Sequence, residues 1–388
     1  MKLSRWEGII RTIGIFVTVV FFGYAGWMLF LHFGPCEIKQ KLGAIYYHQT
    51  LAAACHSTSS PFSYYVPGYK TIFNENRGIP LKLPKMIGNV KGDIIVLSDI
   101  GSNVIRVDSK GQVKWIFNAY PVRIGSLFRY GKKEVGFAYK NRIFFLNIET
   151  GEKRREVKLS GPNILKVRPL EKSTTEFLIT LSVDGGQSVI VWSEGNYQPL
   201  KNIPRFRFPR SVDKKGELIV VADTFGHRVV GWNLSTQKIE FEIPTYYPND
   251  VEFVGDSSIL IAEEHSNRVF IYDFRTNNRT LLIACKVFQD FTVSPDRTKE
   301  LELAGEFLAF PGNPKSSKSV CAVEFSGSST LYSPNGATRN CDGSYLVSDT
   351  DNGRVVQLSR DGKIIRELLN LNNPQSAVIV FDRDRSCK

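Results

Sequence analysis

A repeat constrains this chain more than any other feature. Four segments lie over one another: Ser98–Arg106, Ala222–Val230, Ala262–Phe270 and Ser348–Val356. Each follows a short β-rich run, places an acid at its end, makes a small polar turn and enters a second strand, usually through Arg-Val. The acids are Asp99, Asp223, Glu263 and Asp349, and the last three are 40 and 86 residues apart, one and two periods of about 42. A second marker keeps the same period: Pro162-Asn, Pro248-Asn and Pro334-Asn recur every 86 residues. Pro84-Lys-Met and Pro209-Arg-Ser take the equivalent place in other units. Weaker units surround Val135–Phe145, Phe177–Trp192 and Phe307–Phe325, which makes seven units between Pro84 and Leu371.

A period of 40–45 residues with four short strands per unit is the signature of propeller blades. The expected fold is therefore all-β, a β-propeller with seven blades preferred and six the alternative. Gly/Asp turns at Asp108–Gly111 and Arg360–Gly362 support strand pairing by hairpins. Pro374–Asp382 begins another inner-strand pattern and stops, which suits a strand that closes the last blade onto the first. A closed ring leaves only short, protected sheet edges.

The segments at 209–233, 248–273 and 334–362 resemble NHL-repeat propellers. The nearest likeness is Pro334-Asn-Gly-Ala, followed by Asp342-Gly-Ser-Tyr-Leu-Val-Ser-Asp-Thr-Asp-Asn-Gly-Arg-Val-Val. Asp93–Phe117 is similar to arylsulfotransferase-type propeller repeats. The resemblance speaks for the fold more than the activity, since propellers carry unrelated functions.

Ahead of the repeat, Thr12–Phe33 runs for 22 residues without Asp, Glu, Lys or Arg. At about 1.5 Å per residue it would span a hydrocarbon core of about 30 Å. Lys2, Arg5 and Arg11 precede it, so the positive-inside bias puts the N-terminus in the cytoplasm and the rest outside. The expected organisation is a cytoplasmic tail (1–11), a signal anchor (12–33), a connecting region (34–83) and the propeller (84–388). Six cysteines without metal-ligand spacing are compatible with disulfides in an oxidising compartment and equally with buried thiols. The net charge of +12 favours acidic partners.

The first strand of a blade normally lines the axis, so the Pro-Asn motifs aim Asn163, Asn249, Asp250 and Asn335 at one axial opening. Strictosidine-synthase-like and gluconolactonase-like propellers use Asn-Asp and Asn-Gly at this place around a divalent ion. That similarity implies a Ca²⁺ site at Asn249, Asp250, Asn335 and Asp290, since amide and carboxylate oxygens suit this ion. Local hydrogen bonds within the turns are the competing reading. His227 and His265 occupy matching turns of neighbouring units. They are candidates for acid–base or nucleophilic catalysis of the arylsulfotransferase kind, against a structural role in Gly-His-Arg-Val. Arg205, Arg207 and Arg210 alternate with Phe206 and Phe208. This pattern suits a protein or anionic glycan partner, and nucleic acid is not expected outside the cytoplasm. The chain has no Gly-x-Ser-x-Gly elbow, HExxH or P-loop, which removes the commonest hydrolase, zinc-protease and nucleotide sites. The leading expectation is a ligand- or partner-binding ectodomain. The alternative is a propeller enzyme, hydrolase-like with a metal on the axis or transferase-like through a histidine.

Overall fold

Short apolar runs bounded by polar turns should be strands buried on both faces, and they are. Ile94–Leu97 and Val220–Ala222 are fully buried in the middle of four-stranded sheets. The computed structural model describes residues 84–98, 103–118, 125–170, 176–183, 188–193, 196–285, 331–371 and 373–381. All of them belong to one compact unit.

Six antiparallel sheets form the described ring. Blade 1 contains Asp93–Ser98, Asn103–Val107 and Val113–Asn118. Blade 2 contains Leu127–Tyr130, Glu134–Tyr139, Arg142–Asn147 and Lys153–Lys158. Blade 3 has Ile164–Pro169, Glu176–Leu181, Val189–Ser193 and Asn196–Pro199. Blade 4 has Pro209–Lys215, Leu218–Asp223, Arg228–Asn233 and Lys238–Pro244. Blade 5 has Pro248–Phe253, Ser258–Glu263, Arg268–Asp273 and Asn278–Ala284. Blade 6 has Pro334–Arg339, Tyr345–Asp349, Arg354–Leu358 and Ile364–Leu369. The C-terminal strand Pro374–Val380 pairs with Asp93–Ser98 and becomes the innermost strand of blade 1, as the sequence pattern anticipated.

Blades number six, not the preferred seven. Six apolar clusters fill six interfaces, from blade 1 against blade 2 around to blade 6 against blade 1. The decisive interface is between blades 5 and 6. Leu260, Ala262 and Val269 pack there with Ala337, Tyr345 and Val347. Asn249 and Asn335, on adjacent inner strands, are 2.6 Å apart, so no blade fits between them. The unit assigned to Phe307–Phe325 lies outside the described residues. Pro84-Lys-Met also departs from expectation: Lys85–Ile87 is not an inner strand but adds to the outer edge of blade 6. Among the described residues no helix is long and apolar enough to cross a membrane. The expected anchor (12–33) and the connecting region (34–83) lie outside those residues.

The repeated acid has a defined task. Asp223 accepts the Arg207 and Phe208 amides on one oxygen and Arg228 Nε on the other. Glu263 accepts the Tyr246 amide and pairs with Arg268. Asp349 accepts the Tyr332 amide at 2.7 Å and Arg354 Nε at 2.8 Å. Each fully buried carboxylate thus ties the loop entering its blade to the Arg of Arg-Val. Asp99 is not among the described residues, and blade 1 instead buries Arg106 against Asp93 at 2.7 Å. Hydrogen bonds to charged groups contribute about 1.5–3 kcal/mol each, which gives these sequence markers a structural cause.

Candidate functional site

The face on which the inner strands begin will be called the upper face, and the opposite face the lower. Just after the marker proline the register slips by one residue in blades 4, 5, 6 and 1. The skipped residues are Arg210, Asn249, Asn335 and Gln375. A bulge of this kind re-aims a side chain, and three of these four meet at the upper mouth of the axis. Arg210 donates to Asn335 Oδ1 at 2.7 Å and to Glu264 at 3.1 Å. Asn249 Nδ2 donates to Glu264 and to Asn335 Oδ1, both at 2.6 Å. Asn335 in turn donates to Thr350 at 2.9 Å.

Glu264 was not foreseen. Its signal is a departure from the repeat: Asp223-Thr224 and Asp349-Thr350 become Glu263-Glu264. Thr224 and Thr350 clip their blade to the next one through the carbonyls of Pro248 and Pro374, at 2.6 and 2.7 Å. In blade 5 a carboxylate replaces that clip and reaches the mouth.

Below the mouth, inner-strand positions form two layers around the axis. Ser126, Ser211 and Ser376 use their hydroxyls to hold the backbone of the following blade at Val167, Val251 and Leu127. Lys166 and Asp250 stand in the same layer and pair across it at 2.7 Å, with Ser211 Oγ donating to Asp250 at 2.6 Å. In the lower layer Arg168 reaches Glu252 at 3.2 Å, Thr338 donates to Glu252 at 2.7 Å, and Asp213 accepts the Phe253 amide at 2.8 Å.

Burial drives the titration of this set. It lowers the Lys166 ammonium, an effect Arg168 adds to and Asp250 opposes. Burial would raise Asp250, but Lys166 and Arg168 outweigh it and hold the carboxyl below its usual range. Asp213 is pushed up to about 6 by burial, with Arg168 opposing and Glu252 adding. Burial works against Arg168, yet Glu252, Asp213 and Asp250 raise it overall.

A cavity of about 400 Å³ lies under these layers and is open to the outside. Its lining includes the lower ends of the inner strands at Pro169, Phe253 and Arg339–Asn340, which places the opening on the lower face. Of the residues expected at an axial opening, Asp250 lines this cavity, whereas Asn249 and Asn335 stand at the opposite, upper mouth.

Beside the upper mouth, blades 4 and 5 carry a shelf of rings. Phe208 stacks on Phe225 at 4.6 Å, Phe225 meets Tyr247 at 5.5 Å, and Tyr247 stacks on His265 at 3.8 Å. His227 stacks on Tyr246 at 5.1 Å. Phe225 is 41% exposed, and a cavity of about 390 Å³ lies against Ser182, Arg207, Phe208 and Phe225.

The structure therefore brings His227 and His265 into one shelf, where their rings are packing surfaces. Burial lowers His265, with Arg210 and His227 adding and Glu264 opposing, which favours a neutral ring. Among the described residues its buried Nδ1 has no hydrogen-bond partner that would orient the ring. Asn163 is exposed, and its main-chain carbonyl accepts the Ser182 amide. Arg205 and Arg207 are exposed on the upper face, whereas Phe206 between them is fully buried. The basic run Lys153–Lys158 is the outermost strand of blade 2, a charged edge of the kind that discourages edge pairing.

The oxygens expected to hold Ca²⁺ do not fit that ion. The Asn335 oxygen accepts from the Arg210 guanidinium and from Asn249, so a cation already fills its place; Asp250 turns down to Lys166, and Asp290 lies outside the described residues. Among the described residues no group of three or more His, Cys, Asp or Glu side chains could hold a metal.

No protein-family model and no curated protein matches this chain. Solved structures do resemble it. A protein of unknown function from Bacteroides caccae is similar with a TM-score of 0.51 and 10% identity, over 75% of this chain and 99% of the other. A chain of a nidogen/laminin complex is similar with a TM-score of 0.52 and 11% identity, over 74% of this chain and 98% of the other. At these identities the likeness is one of fold, and the fold is a six-bladed β-propeller.

Proposed function

We propose that this chain is a single-pass membrane protein whose NHL-like propeller stands outside the cytoplasm and recognises an acidic protein through its upper face. The aromatic shelf carries this reading. It offers exposed, mutually braced rings beside Arg205 and Arg207, and interface anchors are enriched in aromatic residues and arginine. Rigid rings lose little side-chain entropy on binding, so the shelf is prepared for contact before a partner arrives. A related fold in a nidogen/laminin complex is consistent with this use.

Two further observations support the rest. Cys285 and Cys341 are both disulfide-bonded. Cys285 bonds Asn267 at the upper end of blade 5, and Cys341 lies in the lower hairpin of blade 6, so the two are not each other's partners. Two separate disulfides suit an oxidising compartment, and the uncharged run at 12–33 with its basic N-terminal flank supplies the anchor and its orientation. The charged groups of the axis argue against turnover, because Asp250 and Glu252 are held by cations and backbone donors.

The test is site-specific photocrosslinking in intact cells. A photoreactive residue at position 225 should yield discrete protein adducts, and one at Asp361, in a lower-face turn, should not. Arg207→Glu should diminish the adducts from position 225. Equal labelling from both positions, or adducts to glycan alone, would defeat the acidic-protein reading. A reporter fused after Lys388 that works only in the cytosol would overturn the topology.

A further inference from the structure

We infer that the lower axial cavity is a second binding site, for a small organic anion with a carboxylate head and an apolar body, and that Arg129 is its counter-ion. The charge inventory points there. The cavity is lined by four cations, Arg129, Lys166, Arg168 and Arg339, and three carboxylates, Asp213, Asp250 and Glu252. Lys166 is taken by Asp250, and Arg168 by Glu252 and Asp250. Arg339 donates to the Val254 carbonyl.

The Arg129 side chain has no hydrogen bond and no ion pair among the described residues, although it is half-buried on the blade 2 inner strand. Burial lowers its pKa with no carboxylate to oppose it. Arg168 adds a buried Nε that also lacks a partner. A guanidinium donor kept from water without an acceptor, as Arg168 Nε is, is costly unless a ligand supplies one, and the unpaired Arg129 side chain lines the same cavity. A carboxylate matches that need, since it accepts two parallel N–H bonds from one guanidinium.

The rest of the wall sets the ligand's body. Phe128, Pro169, Phe253, Val378, Ile379 and Phe381 line the same cavity. Its volume of about 400 Å³ falls within the roughly 300–1,000 Å³ usual for small-molecule pockets. Apolar walls with a few placed polar groups are also the usual make-up of such pockets. A bare inorganic anion would satisfy Arg129 and leave these walls wet. The carboxylate could belong to a free acid or to the C-terminus of a peptide.

The experiment is isothermal titration of the full chain, purified in detergent. The probes are 3-phenylpropionate, its neutral amide, the tripeptide Gly-Gly-Phe as acid and as amide, and inorganic phosphate. One or both acids should bind, and each amide should bind at least about tenfold more weakly, the scale of one charge-assisted hydrogen bond. Tighter binding of 3-phenylpropionate assigns the site to a free acid, and tighter binding of the tripeptide acid assigns it to a chain terminus. Arg129→Gln should lose binding by at least about tenfold and Arg129→Lys by less, because lysine keeps the charge without the fork. Since the Arg129 side chain bonds to nothing among the described residues, Arg129→Gln should leave the Tm unchanged. The inference fails if neither acid binds, if Arg129→Gln binds as the parent does, if phosphate binds as well as the better acid, or if Arg129→Gln lowers the Tm markedly.

Discussion

The two ends of the axis are built from the same inner strands and reach opposite electrostatic outcomes. At the upper mouth Arg210, Asn249, Glu264, Asn335 and Thr350 bond one another through hydrogen bonds of 2.6–3.1 Å, with Asn249 Oδ1 the one buried oxygen of the set left unpaired among the described residues. At the lower end the inner strand of blade 2 leaves the Arg129 side chain without a partner among the described residues, beside an open cavity. A hydrogen-bonded polar network rigidifies, while a guanidinium with no acceptor in the protein is left to bind a ligand. The upper end is thus suited to present a fixed surface, and the lower end to take something in. The Lys166–Asp250 pair stands between them, reaching from blade 3 to blade 5 across the axis.

Breaking that divide should have the largest effect. Asp250→Ala removes the partner of Lys166 and the acceptor for Ser211 and the Ala337 amide. Leaving one charge of a buried pair uncompensated costs about 3–5 kcal/mol. The variant should show that loss in chemical denaturation, and adding Lys166→Met should recover a large part of it. If Asp250→Ala were as stable as the parent, the axis would be wet enough to solvate Lys166, and its two ends would be one channel.

That pair also marks where sequence reading stopped. The propeller and the closing strand were legible, because the period and the strand–turn–strand pattern are local signals. The blade count was not. Residues 286–330 amount to 45 positions, nearly one period, and length alone does not separate an insertion from a blade. Asn249 and Asn335 were foreseen at an axial opening and do meet there, whereas Asp250 turns down to Lys166 and Asn163 is exposed; Arg210, expected as part of a partner-binding pattern, joins the mouth instead. Their partner Glu264 was hidden, although Thr224 and Thr350 at matching positions made it the exception. Lys166 and Asp250 were harder still. Each replaces a small residue of its layer, but their pairing depends on closing the ring, which no local pattern encodes. Arg129 gave no signal at all, since an absent partner is visible only in three dimensions.

The pH response should sharpen the contrast at an intermediate scale. Asp213 faces Arg168 and Glu252 and accepts the Phe253 and Lys214 amides, and its pKa is raised from 3.8 to about 6. A raised acid binds its proton more tightly in the folded ring, so its contribution is fully present below about 4. It is lost as the pH climbs through 6, by on the order of 3 kcal/mol, since one pKa unit is about 1.4 kcal/mol. Asp250, held low by Lys166 and Arg168, works in the opposite sense and loses its contribution as the pH falls. Asp213→Asn should therefore gain stability on the parent between pH 4 and 7 in denaturation measured at each pH. A constant difference between the two proteins would mean that Asp213 is solvated and that the lower layer is open to water.

Restoring the repeat at the mouth tests the upper end more gently. Glu264→Thr removes the acceptor for Arg210 and Asn249 but can form the clip to the Pro334 carbonyl that Thr224 and Thr350 make in their own blades. The lost ion pair is partly exposed, with side chains 16% and 20% accessible, so the cost should be about 1 kcal/mol or less. The larger consequence should be positional. Glu264 raises the neighbouring Tyr247 hydroxyl, an effect second to burial, and opposes the lowering of His265. Without it both groups should titrate lower, the histidine visibly in its imidazole NMR shifts. Photocrosslinking from position 225 should persist, because the shelf is braced by ring stacking and not by the mouth. If the adducts vanished along with Glu264, the mouth and the shelf would be a single recognition surface, and the carboxylate would belong to the contact itself.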